Sequence, residues 1–70
     1  MTYGGFHAGD YAYFVIKDVE TKQWISVRRK ITKAIREDNK VSYEAFDLVA
    51  PESRVFIDSE VADYWIHKHS

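Results

Sequence analysis

Apolar residues recur with a period of two along "DYAYFVIK", Asp10 to Lys17. This places Ala12, Phe14 and Ile16 on one face and Tyr11, Tyr13 and Val15 on the other. Aromatic and β-branched residues dominate, so the segment predicts a strand, and its two apolar faces each require a cover. "DVETKQ" is polar and turn-like, so the next segment is expected to pair back antiparallel.

That next segment, "WISVRRKITKAIRED" from Trp24 to Asp38, admits two periods. As a strand, it puts Ile25, Val27, Ile31 and Ile35 on one face, interrupted by Arg29 and Lys33. Trp24, Ser26, Arg28, Lys30, Thr32, Ala34 and Arg36 then share the other. As a helix, Trp24, Val27, Ile31 and Ala34 or Ile35 form a stripe, with Thr21 as a possible cap. The abundance of Ile, Val and Thr favours the strand. A bend or bulge near Arg29-Lys30 would repair the broken alternation.

"EDNK" supplies turn chemistry, because Asp and Asn tolerate the backbone angles of a tight reversal. In "VSYEAFD", Val41, Tyr43 and Ala45 fall together. "APES" suits a short turn or one 3₁₀ turn, and "RVFI" reads as a last short strand. From Asp58 the period changes. Asp58 or Ser59 can cap a helix over 58–69, and Glu60 suits its positive end. Val61, Ala62, Trp65 and Ile66 form its stripe, with Asp63, His67 and Lys68 placed away from it. The helix is expected to dock on the open side of the sheet with Trp65 as a plug. The pattern is mainly β with a C-terminal helix, one domain over 1–70, after a flexible lead-in at 1–9 marked by Gly4-Gly5 and Gly9.

Gly9-Asp10 leading into Tyr13-Phe14, "KIT" in a long strand, the "DNKVSYE" hairpin and "RVFIDSE" running into a helix carry a resemblance. The chain resembles small SH3-like barrel proteins of phages, prophages and low-GC Gram-positive bacteria, most of them uncharacterised. The likeness covers about residues 9–66, with Val55-Phe56, Asp58 and Glu60 in the matching places. Arg29 departs from it, since many relatives have a small residue there. The resemblance implies an SH3-like β-barrel of four to five antiparallel strands and a phage or prophage origin, but no active site.

Composition narrows the classes. With 46% apolar residues the chain can fold, but 70 residues and no cysteine leave a small, unstapled core. Metal fingers and cysteine nucleophiles are excluded for want of thiols. No apolar run reaches the ~20 residues of a membrane span. The first ten residues lack the pattern of a signal peptide, so an intact, soluble, cytoplasmic protein is expected. No phosphate-cradling loop or nucleophile elbow is present, and the serines have no histidine in a recognisable motif. His67 and His69 are two apart in the predicted helix and point in different directions. The expectation is a non-enzymatic protein without cofactor or metal.

Charge is divided along the chain. Residues 1–36 carry seven basic and three acidic side chains, net +4, and residues 37–70 carry three and eight, net −5. The bland account is mutual neutralisation, with Lys and Arg on a long strand guarding a sheet edge. The functional account is a partner-binding face of Trp24, Arg28, Lys30 and Arg36, with Tyr11 and Tyr13 as second choices. A protein partner with an acidic surface fits best, a host or defence factor if the chain is phage-encoded. Single-stranded or structured nucleic acid is an alternative, weakened by the acidic second half. A third reading uses the acidic half to inhibit a host nuclease-based defence system, in the manner of an anti-CRISPR. Exposed strand edges also make a homodimer an expectation.

Overall fold

The period-two segments all form strands in the computed structural model, which describes residues 6–69. β1 (Tyr11–Lys17), β2 (Trp24–Glu37), β3 (Lys40–Ala45), β4 (Val49–Pro51) and β5 (Val55–Phe56) are followed by α1 (Ser59–His69). The five antiparallel strands make one curled half-barrel sheet in the order β4-β3-β2-β1-β5. The ambiguous segment is therefore a strand, and the helical reading of Trp24 to Asp38 is overturned. A single 3₁₀ turn, Glu52–Arg54, joins β4 to β5 as the proline-containing stretch predicted.

Register follows from what each face must bury. β1 pairs β2 with Tyr11 opposite Lys30, Tyr13 opposite Arg28 and Lys17 opposite Trp24. Phe14 lies between Val27 and Val55, its partners on either side. The concave face thus collects Ala12, Phe14, Ile31, Tyr43, Ala45, Ala50 and Val55, all buried. Phe6 packs against this core, its ring edge-on to Tyr43 at 5.4 Å. Gly9, at φ 103, donates its N–H to the Ile31 carbonyl at 2.7 Å. Residues 6–9 of the expected lead-in are therefore tied to the sheet, while Gly4-Gly5 lie outside the described residues.

β2 changes face partway along. Its pairing with β3 runs Ile31 to Ala45, then Lys33 to Glu44, Ala34 to Tyr43 and Arg36 to Val41, so Thr32 is the extra residue of a bulge. The irregularity sits two residues beyond the place expected from Arg29-Lys30. The Thr32 hydroxyl secures it by donating to the Glu44 carbonyl at 3.0 Å. Beyond the bulge the residue parity is reversed.

Turns behave as their residues dictate. Asp38 and Asn39, at φ 49 and 66, form the two-residue reversal between β2 and β3. Asp58 starts α1, its carboxylate accepting from the Glu60 N–H at 3.0 Å. Ala62 is fully buried against the convex face, where Val15 is its buried counterpart. Val61 departs from the expected stripe and is 38% exposed, because the helix leans on Ala62, Trp65 and Ile66 instead.

Candidate binding face

The convex face of β1 and β2 has two ends. α1 begins just after β5, whose Phe56 pairs with Tyr13, and its last turns reach Trp24. Trp65 meets Trp24 edge to face at 5.0 Å, so the helix roofs the end nearest the β1–β2 turn. Trp24 is consequently half-buried and flanked by cations, with Lys17 Nζ 5.3 Å and the Arg54 guanidinium 5.2 Å from its ring. The indole is not displayed beside Arg28 and Lys30 as the alternation alone suggested. What alternation cannot reveal is which part of a face a helix will cover.

The other end is open. Tyr11 is 51% exposed, and the Arg28 guanidinium lies over its ring at 4.5 Å. Lys30, also exposed, is directly across from Tyr11. Tyr13, opposite Arg28, is half-buried at the boundary between the two ends.

Arg36 does not join them. The bulge at Thr32 puts it on the concave side, opposite Val41, at the rim of the core. The same bulge brings Lys33, which strict alternation had assigned to the inner face, onto the convex side opposite Glu44. Lys33 was missed because no glycine or proline marks the irregularity. Phe46 was also missed. It is 94% exposed in the turn after β3, beside Asp47, whose carboxylate meets Arg29 Nε at 3.4 Å. Its signal in the sequence is an aromatic residue out of step with Val41, Tyr43 and Ala45.

The two bland explanations for the cations fare differently against this geometry. β2 pairs with β1 over residues 24–30 and with β3 over residues 31–37, so each half is strand-paired along one side and the edge-guarding account still fits its cations. Among the described residues, Arg29 is the only Lys or Arg within 4.0 Å of a carboxylate, so contact neutralisation between the basic and acidic halves is limited to the Arg29–Asp47 pair. The outermost strands, β4 and β5, have three and two residues, and Pro51 removes a donor from β4. They offer little backbone for pairing with a second chain, whereas each half of β2 keeps one side without a strand partner among the described residues.

No three histidine or carboxylate side chains gather as metal ligands among the described residues, and no helix there is long and apolar enough to cross a membrane. Comparison with family models, with curated proteins and with solved structures finds no match to this chain.

Proposed function

We propose that this chain is a non-enzymatic binding module that recognises an acidic surface of a protein partner. Its contact set is Tyr11, Arg28, Lys30 and Lys33 on the open convex end, with Phe46 at the margin. The observation that carries this reading is the pair Arg28 and Lys30, both exposed, with no carboxylate within 4.0 Å among the described residues and with Arg28 lying over the exposed Tyr11 ring. Residues alternating on one face stand ~7 Å apart, so Arg28, Lys30 and Lys33 form a short positive row. Such a row steers an acidic partner, and the rings supply apolar area that survives desolvation.

The arrangement of elements supports the SH3-like reading. A long bent β2 is shared between a β5-β1-β2 half and a β2-β3-β4 half, and a 3₁₀ turn precedes the last strand. A phage or prophage source, with a host or defence factor as the partner, follows from that resemblance.

The test is partner capture from extract by the wild-type chain and by an Arg28→Glu/Lys30→Glu variant, with melting curves for both. Capture lost with melting unchanged supports the proposal, and capture retained refutes it. Labelled oligonucleotides at low and moderate salt form the second arm. Binding that falls steeply with salt would replace the protein partner by nucleic acid.

A further inference from the structure

We propose that the cleft between the β1–β2 turn and the last turn of α1 binds a small organic anion. Its charged head sits between Lys17 and Lys22, and its apolar body lies against Trp24 and Ile66. This site is separate from the open convex end and stands on its own observations.

The cleft measures about 460 Å³ and is lined by Lys17, Lys22, Gln23, Trp24, Ile66 and His69. That volume is within the range of small-molecule sites, which combine apolar walls with a few placed polar groups. The lining has that composition. Two lysines, a glutamine and a histidine line it together with a tryptophan and an isoleucine, and no Asp or Glu among the described residues does. Arg54, 5.2 Å from the Trp24 ring, adds a further positive group beside the wall.

The acids nearest in sequence are otherwise placed. Asp18 directs its carboxylate to the Glu20 N–H at 2.9 Å, inside the turn, and Glu20 is exposed. The carbonyl end of α1 would oppose an anion, but there His69 Nδ1 lies 2.8 Å from the Trp65 carbonyl oxygen. The His69 ring also stacks on Trp65 at 3.9 Å, so this wall of the cleft is held in place.

Backbone conformation points the same way. Lys22 has φ 62, a left-handed conformation that Gly or Asn adopts with less strain. The turn is held there by Lys22 N–H donating to the Asp18 carbonyl at 2.8 Å. A strained residue that supplies an ammonium to a cleft has the character of a functional position. Lysine ammonium groups are point charges suited to phosphate or carboxylate, and indole plus isoleucine suit a flat hydrocarbon body.

The chain has two tryptophans, and both belong to this corner, so intrinsic fluorescence reports directly on occupancy. Phenyl phosphate is the probe, with inorganic phosphate as head alone and benzylamine as a cationic counterpart. Saturable change with phenyl phosphate, weaker change with inorganic phosphate and none with benzylamine is the expected pattern. Lys17→Gln/Lys22→Gln should weaken phenyl phosphate binding on the order of ten-fold or more, because two charge-assisted contacts are lost. Arg28→Glu/Lys30→Glu should leave it unchanged. Should the lysine variant fold poorly, indole N–H shifts of Trp24 and Trp65 in the unmodified chain serve instead. They should move with phenyl phosphate and stay still with benzylamine. No saturable response, equal binding by the lysine variant, or loss on changing Arg28 and Lys30 would each overturn the proposal.

Discussion

The two ends of the convex face are built from the same pair of strands and reach opposite outcomes. At one end, Trp24 meets Trp65 of α1, and Val15 and Ala62 are fully buried. At the other, Tyr11 faces solvent with Arg28 over its ring and Lys30 across from it. Both ends offer an aromatic ring and cations. The covered end packs its ring against the helix, with only a cleft beside it, and the open end leaves ring and cations together on the solvent face. Aromatic and basic composition therefore does not identify a binding face until it is known what else packs there.

That contrast can be broken from the covered side first. Trp65→Ala removes the contact that seats the last turns of the helix. A fully buried Trp costs ~3–5 kcal/mol, so the half-buried Trp65 should cost roughly 2 kcal/mol. A core of this size has only ~3–5 kcal/mol to lose, so the urea midpoint should fall steeply. At the open end, Arg28→Glu/Lys30→Glu should do the reverse. Stability should stay within ~0.5 kcal/mol while partner capture disappears.

Smaller effects sharpen the comparison. Lys22→Gly relieves a left-handed backbone and should raise stability by about 1 kcal/mol, read from urea unfolding. The same change should weaken phenyl phosphate binding, separating stability from function at a single residue. Tyr11→Ala removes the ring beneath Arg28, an exposed cation–π contact of ~0.5–1 kcal/mol. It should lower stability by no more than that and weaken capture measurably. A loss as large as that of Trp65→Ala would mean that the open end is structural after all.

Much of this architecture was legible because burial imposes a strict period. Ala12, Phe14 and Ile16 could face the core only if β1 were extended. The Asp38-Asn39 reversal and the Asp58 cap were legible because few residues suit those backbone conformations. The bulge was not legible. Thr32 is an ordinary strand residue, and its hydroxyl bond to the Glu44 carbonyl is set by tertiary packing. One extra residue exchanged Lys33 for Arg36 in the candidate face. The position of Trp24 was half legible. Its face followed from alternation, but its cover comes from α1, more than thirty residues later in the chain.

The bulge also supplies the most direct measurement. Arg28 and Arg36 lie on one strand, are both exposed and face opposite sides. Single Arg28→Glu and Arg36→Glu variants carry the same change of charge and should melt alike. Capture of the partner should fall sharply for Arg28→Glu and stay at the wild-type level for Arg36→Glu. Equal loss in both variants, or retention by Arg28→Glu, would contradict a binding face at the open end of the convex sheet.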